Sequence, residues 1–226
     1  MDINERNKKA AISRWNKVIE QEKVKIINTP QNLVLKAALC GFLAGEGSVF
    51  ARKERTYLRY DTAFYPDDRL MLDTYLDAVR QVYRKTLHIT TKEGIFYVKI
   101  TSRTIVEDLL QYASFGIHTW TLPDKLFTIQ GTKEAWLKAF FSAESYVGRS
   151  TVRVQTVNLK SMLEVSKLLD STGIPNHYHE YTPKNPKHSK VGIVIIGSKK
   201  ARQLFYEKIG FWHSKKQEKL RKALGL

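Results

Sequence analysis

The sequence of 226 residues is poor in the features that mark secreted and membrane proteins. It has one cysteine, Cys40, so it can form no internal disulfide, and this favours a reducing compartment. No apolar run approaches the length of a membrane span, and residues 1–6 lack the apolar core of a secretory signal. We therefore expect a cytoplasmic protein, in a prokaryotic cytoplasm or an equivalent reducing compartment, with no membrane partner.

Acidic residues are also in short supply. The chain has 22 Asp and Glu against 38 Lys and Arg, which gives a net charge of +16. Such a balance indicates a polyanionic partner, and nucleic acid is the first candidate. A basic α/β protein associated with ribosomes is an alternative with the same charge, and it would have neither internal symmetry nor a pair of acids.

One stretch of the sequence occurs twice, 98 positions apart (144 − 46 = 98): LCGFLAGE ends at Glu46 and LKAFFSAE ends at Glu144. Each stretch is predicted to be a helix with small residues four positions apart on one face, where another backbone can approach closely. These small residues are Gly41, Gly45, Ala139 and Ala143. If the two helices pack along these faces in the same direction, Glu46 and Glu144 lie side by side at one end of the interface.

A pair of carboxylates at two helix C-termini needs a positive charge nearby, because the acids repel each other and the negative ends of the helix dipoles. Mg²⁺ is suited to the role, since it prefers oxygen ligands; Mn²⁺ or Ca²⁺ fits the same ligands. The predicted metal ligands are the side chains of Glu46 and Glu144 and the backbone carbonyls of Gly45 and Ala143. In a strongly basic chain, this arrangement indicates metal-assisted hydrolysis of a phosphodiester.

The pattern of helices and strands repeats together with the motif. We predict an N-terminal helical arm at 1–30, a first repeat at 31–118, a connecting segment at 119–132, and a second repeat with a basic C-terminal helix at 133–226. Each repeat reads helix, strand, strand, helix, strand, strand, helix. The predicted fold class is therefore α/β (mixed α+β), built by duplication.

The paired motifs and the order of elements resemble the LAGLIDADG homing endonucleases in their single-chain, two-motif form, over roughly residues 31–222. The first motif has the small and acidic residues of the family pattern at Gly41, Ala44, Gly45 and Glu46. The second motif keeps the acid but departs elsewhere, with Ala139, Ser142, Ala143 and Ser145 where the first has Gly41, Ala44, Gly45 and Gly47.

The resemblance implies two pseudo-symmetric αββαββα repeats, with the motif helices packed at the centre and antiparallel sheets forming a DNA-binding saddle. It also implies a monomer that binds a long, pseudo-palindromic site in double-stranded DNA and cuts both strands with Mg²⁺. A non-cleaving nucleic-acid-binding protein on the same scaffold, an intron-splicing maturase or a regulator, is the alternative. The two retained acids favour the enzyme, and the irregular second motif favours the alternative.

Further candidates for catalysis follow the last helix of each repeat, where the family has a base or a cation close to the scissile phosphate. They are His118, His213, Lys215 and Lys216. For the two histidines, capping of helix carbonyls is an equally good interpretation.

Candidates for DNA contact alternate along the predicted strands, because side chains two positions apart share one face of a sheet. They are Arg52, Arg55, Arg59 and Asp61 in the first repeat and Arg149, Arg153, Gln155, Tyr178, Glu180 and Lys190 in the second. Arg pairs well with guanine and Gln with adenine. Three histidines, His177, His179 and His188, lack the spacing of a zinc site, and a surface or DNA-facing role fits them better.

Overall fold

The structure, a computed structural model, describes residues 3–54, 57–185 and 187–226. The helices formed by these residues are α1 (Ile3–Lys23), α2 (Pro30–Glu46), α3 (Arg69–Tyr83), α4 (Arg103–Leu110), α5 (Thr132–Glu144), α6 (Leu159–Ser171), α7 (Lys199–Lys208) and α8 (Ser214–Leu224). The strands are β1 (Gly47–Glu54), β2 (Tyr57–Phe64), β3 (Ile89–Lys92), β4 (Ile95–Thr101), β5 (Tyr146–Val147), β6 (Val152–Thr156), β7 (His177–Tyr181) and β8 (Val191–Ile196).

The strands form two four-stranded sheets with the same arrangement. The order is β1-β2-β4-β3 in the first sheet and β5-β6-β8-β7 in the second, and all neighbours are antiparallel. In each sheet, helices cover one face and leave the other face open, which we call the open face. The α/β fold with two αββαββα repeats, predicted from the sequence, is confirmed.

Helices α2 and α5 pack against each other at the centre of the molecule. A Cβ added to Gly41 would lie 2.5 Å from the carbonyl oxygen of Trp136, and one added to Gly45 would lie 2.5 Å from the Cβ of Ala143. Contacts therefore advance along both helices together, so the helices run in the same direction. The predicted packing along the small residues is present, and it leaves room only for glycine on the α2 side.

The core of each repeat lies between its sheet and its helices. Aromatic side chains fill the first core, where Phe64 stacks on Tyr75 with ring centroids 4.5 Å apart, and the second, where Trp136 stacks on Phe140 at 4.8 Å. A buried ion pair, absent from the sequence prediction, links α2 to α4: Lys36 Nζ lies 2.6 Å from Asp108 Oδ2. Removal of one partner of such a pair costs about 3–5 kcal/mol, because the other charge stays buried.

Helix α1 is attached to the first repeat near its C-terminal end. Glu22 accepts a hydrogen bond from Ser102 Oγ (2.7 Å) and one from Lys85 Nζ (3.3 Å). Towards its middle, Ile12 and Trp15 are exposed. None of the described helices combines the length and the apolar character that a membrane span requires.

Candidate active site and nucleic-acid interface

Glu46 and Glu144 are the last residues of the two central helices, and both are partly buried. Burial raises the pKa of Glu46 to about 8 and that of Glu144 to about 7, while the charge of Lys216 opposes both shifts. Asp67 and Glu144 add smaller contributions that raise the pKa of Glu46. Repulsion between the two acids, expected from the sequence to be the main cost, is a small contribution, and desolvation is the larger cause.

Lys216, in the first turn of α8, brings a positive charge to the end of α5. Its Nζ donates hydrogen bonds to the carbonyl oxygens of Ser142 (2.7 Å) and Ala143 (2.8 Å). Burial lowers the pKa of Lys216, and the charge of Glu46 is the largest opposing influence. The carbonyl of Ala143, predicted to be a metal ligand, thus accepts an ammonium hydrogen bond instead.

The residues at this site fit a hard divalent cation. Among the described residues, Glu46 Oε2 is buried and has no hydrogen-bond donor, which is costly for a carboxylate oxygen. Carboxylate oxygens are ligands that Mg²⁺ prefers. The described part of the chain has no group of three or more His, Cys, Asp or Glu that could hold a metal. A cation here would therefore complete its coordination with oxygens from outside the protein, such as those of a phosphate.

Asp67 and Asp68, which were not predicted to belong to the site, lie against the start of α8. Asp68 Oδ2 accepts a hydrogen bond from the backbone N–H of Ser214 (3.1 Å). His213 is buried beside them, with Nε2 at 3.2 Å from Asp67 Oδ1 and Nδ1 at 3.4 Å from Asp68 Oδ2. Burial lowers the pKa of His213, and the charge of Lys216 lowers it further. In the sequence, Pro66-Asp67-Asp68 indicates only the start of a helix, because Asp is a favoured N-cap residue.

The other two catalytic candidates, His118 and Lys215, are exposed, whereas the two acids are partly buried. His118 lies in an exposed turn. Lys215 is exposed beside His213. A cleft of about 360 Å³ does reach the site, and Glu144 and Gln155 line it together with Ile117, the neighbour of His118.

On the first sheet, the structure separates the predicted DNA contacts. Arg52 and Arg59 pair across β1 and β2 on the open face. Asp61 belongs to the same face but is 1% exposed, and it accepts hydrogen bonds from Arg59 Nε (2.5 Å) and Thr101 Oγ1 (2.6 Å). The prediction that Asp61 contacts DNA directly is therefore wrong, because its oxygens are enclosed by protein donors. Arg55 lies outside the described residues.

On the second sheet, the open face carries Arg153 and Gln155, both exposed. The register places Arg153 beside Ile195 and His177, and Gln155 beside Ile193 and His179. The histidines belong to this face, as their spacing indicated. Arg149, exposed in the hairpin between β5 and β6, has its carbonyl held by Arg202 (3.3 Å).

Three predicted DNA contacts at the edge of the second sheet, Tyr178, Glu180 and Lys190, are arranged differently from Arg153 and Gln155, and their contact with DNA stays a prediction. Tyr178 and Glu180 alternate with the two histidines, so they lie on the helix-covered face. Tyr178 packs against the core, and its hydroxyl donates to Glu180 Oε1 (3.0 Å). Lys190, just before β8, forms an ion pair with Glu180. Tyr178 and Lys190 both contact Glu180, so these three side chains interact with one another.

Comparison with known proteins adds independent observations. The family described as LAGLIDADG-like domain matches residues 131–210. The fold is similar to that of I-DmoI, solved in complex with DNA and Mn, with 15% identity and a TM-score of 0.62 over 79% of this chain and 97% of that chain. It is also similar to the LAGLIDADG meganuclease I-AabMI bound to uncleaved DNA, with 12% identity and a TM-score of 0.54 over 84% and 89% of the two chains.

A third structure with this fold is full-length DUF199/WhiA from Thermatoga maritima, with 14% identity and a TM-score of 0.54 over 92% of this chain and 64% of that chain. A search among curated proteins found no match. The resemblance predicted from the two motifs is thus confirmed at the level of the fold: residues 131–210 match the LAGLIDADG-like domain, and the two-repeat architecture is similar to that of the single-chain LAGLIDADG homing endonucleases.

Proposed function

We propose that the protein is a monomeric, site-specific endonuclease that hydrolyses phosphodiester bonds in both strands of a long, pseudo-palindromic DNA site, with Mg²⁺ at Glu46 and Glu144. One observation carries the proposal. Two parallel helices in backbone contact end in two partly buried carboxylates, next to the ammonium group of Lys216. A purely structural pair of acids gains nothing from this placement, since burial of both raises their free energy.

The roles of the residues follow from their charges. Glu46 and Glu144 would hold the cation, which, when bound, activates a water molecule and neutralises charge on the leaving oxygen. Lys216 is placed to neutralise a phosphate oxygen that approaches the ends of the helices, in a region of low dielectric where such a charge acts strongly. Gln155, which lines the same cleft as Glu144, would contact the DNA near the scissile bond.

The relatives support the divalent metal and the DNA substrate. I-DmoI has been solved with DNA and Mn and with DNA and Ca, and I-AabMI has been solved with uncleaved DNA. These ligands belong to those proteins, and their extension to this chain is part of the proposal.

A second candidate function is binding of nucleic acid without cleavage, by a maturase or a regulator. The specific observation in its favour is the hydrogen bond from Lys216 to the carbonyl of Ala143. This carbonyl was predicted to bind the metal ion, and the ammonium group occupies the position that the ion would take.

Cleavage of a plasmid library of randomised sites, with Mg²⁺ present, tests the proposal. We expect the wild-type chain to cut a subset of sites. Glu46→Gln and Glu144→Gln should still retard the selected DNA but should fail to cut at least one strand. Glu207→Gln, on the exposed surface of α7, is the matched control and should cut normally. Retardation without nicking by the wild-type chain would favour the binding protein, and normal cutting by both active-site variants would exclude these acids as the metal site.

A further inference from the structure

The open face of the first sheet carries a row of five alternating charges, which we call the charge row: Arg52, Glu54, Arg59, Asp61 and Lys99. Glu54 Oε1 lies 2.6 Å from Arg52 Nη2 and 3.1 Å from Arg59 Nη1. Asp61 Oδ2 lies 2.5 Å from Arg59 Nε and 3.1 Å from Lys99 Nζ. Each acid therefore joins two cations, and Arg59 is held from both sides.

The acids lie deeper in the sheet than the cations that they hold. The side chain of Asp61 is 2% exposed, whereas that of Arg59 is 33% and that of Arg52 56% exposed. Hydrogen bonds to Thr101, Lys99 and Arg59 hold the pKa of Asp61 below its usual range, although burial by itself would raise it. Asp61 is thus a fixed negative charge beneath the guanidinium of Arg59.

The open face of the second sheet lacks this arrangement in the described strands. Its charged group is Arg153, and the register places apolar and imidazole side chains beside it, Ile193, Ile195, His177 and His179. Arg153 lies over the ring of Tyr146, 5.9 Å from its centroid, and none of the described ion pairs includes it. The two repeats share a fold but present different chemistry to a ligand.

We propose that Glu54 and Asp61 are specificity-determining residues: they fix Arg52, Arg59 and Lys99 in one geometry, so that the first sheet discriminates among DNA sequences more sharply than the second. The inference rests on the DNA-binding part of the proposed function and not on cleavage.

Two effects of the acids lead to this result. An unrestrained arginine side chain can change its rotamer to contact any nearby phosphate, and such contacts give affinity without sequence information. An arginine held by carboxylates has already lost its rotamer freedom, and its outward N–H groups meet one set of base-edge acceptors. The acids also repel the phosphate backbone, which weakens binding to unrelated DNA.

Binding measurements in Ca²⁺, which separate retardation from cleavage, test the inference. A duplex is first selected from a randomised library with the wild-type chain, and single base-pair substitutions are then made along it. Base-pair positions whose substitution no longer weakens binding by the Arg59→Ala variant define the first half-site. Positions whose substitution no longer weakens binding by the Arg153→Ala variant define the second. The test variants are Asp61→Asn and Glu54→Gln, and the control is Asp73→Asn, which removes one negative charge from the exposed surface of α3.

In the wild-type chain we expect substitutions in the first half-site to weaken binding by on the order of tenfold each. In Asp61→Asn and Glu54→Gln this loss should shrink to about threefold, and affinity for unrelated DNA should rise, while the second half-site is unaffected. Asp73→Asn should leave discrimination unchanged. Thermal melts verify folding, and Glu54, with a quarter of its side chain exposed, keeps the test valid if Asp61→Asn does not fold.

The inference is overturned if discrimination stays the same in both variants, if it falls equally in both half-sites, or if Arg59→Ala changes no position. A chain that binds selectively but never cuts in Mg²⁺ contradicts the proposed nuclease and leaves this inference standing. A chain that retards no DNA overturns both.

Discussion

Ser214 of the second repeat donates its backbone N–H to the carboxylate of Asp68 in the first repeat, over 3.1 Å. The same carboxylate accepts a hydrogen bond from the backbone N–H of Met71, also at 3.1 Å. One side chain therefore caps the N-termini of two helices, α3 and α8, that belong to different repeats. Because Lys216 lies two residues after Ser214, this cap sets where its ammonium group enters the candidate active site.

Asp68→Asn should misplace α8. The new amide would turn an N–H group towards at least one of the donors that the carboxylate now accepts, and it would remove a charge that both helix dipoles favour. We expect a loss of about 1–3 kcal/mol in the free energy of unfolding. Cleavage should fall more than DNA affinity. Thermal melts and plasmid cleavage measure these changes, and Asp67→Asn, at an exposed neighbouring acid, should lower the stability much less.

Lys216→Met should impair cleavage. The substitution keeps much of the side-chain volume but removes the positive charge that opposes the raised pKa of Glu46 and Glu144. We expect single-turnover cleavage to slow by on the order of 100-fold, with DNA affinity changed little. Lys219→Met, on the exposed side of the same helix, controls for the loss of one charge. An equal effect of both substitutions would contradict a specific role for Lys216.

Glu46→Gln should stabilise the metal-free protein at high pH. Burial raises the folded-state pKa of Glu46 from its ordinary value of 4.5 to about 8, so the folded state binds the proton more tightly than the unfolded state. The wild-type chain therefore loses stability as the pH rises from about 4.5 to about 8. The variant does not, because the glutamine side chain does not ionise.

Melts in EDTA measure the difference between Glu46→Gln and the wild-type chain. Above pH 8 we expect a gain of about 2 kcal/mol, or roughly 4–8 °C in Tm, because the partial exposure of Glu46 lets solvent screen part of the penalty. Near pH 4.5 the gain should vanish. A difference that is independent of pH would show that burial does not penalise the charged form of Glu46.

Gly41→Ala should destabilise the fold, although alanine is the better helix former. The added methyl group would lie 2.5 Å from the backbone carbonyl of Trp136, so the two central helices would have to separate. We expect a loss of roughly 1–3 kcal/mol, measured by denaturant unfolding. Gly197→Ala is the control, since its nearest neighbour would be 3.9 Å away, and it should be close to neutral.

Much of the fold could be predicted because the signals are local. The sequence predicts strands at Tyr57–Phe64, Ile95–Thr101, His177–Tyr181 and Val191–Ile196, and these are the bounds of β2, β4, β7 and β8. The sequence predicts a strand at 146–149, but β5 ends at Val147. Gly148 donates its backbone N–H to the carbonyl of Thr151 (2.8 Å), which closes the hairpin earlier.

The site was harder to predict, since its details depend on partners far apart in the sequence. Asp61 was assigned to the correct face, but its burial depends on Thr101 and Lys99 in β4. The segment His177–Tyr181 is polar at almost every position, so it has no period-two pattern to show which residues face outwards. The role of Asp68 required knowledge of where α8 begins in space.

Gly41 and Gly45 give the central helices main-chain contact with each other, so the separation of the two acids is set by backbone geometry. Substitutions elsewhere, in the sheets or in the outer cores, should change the separation of the two acids little. The side chains of the two open faces can therefore differ, as they do between the two sheets, while the geometry at the centre stays the same.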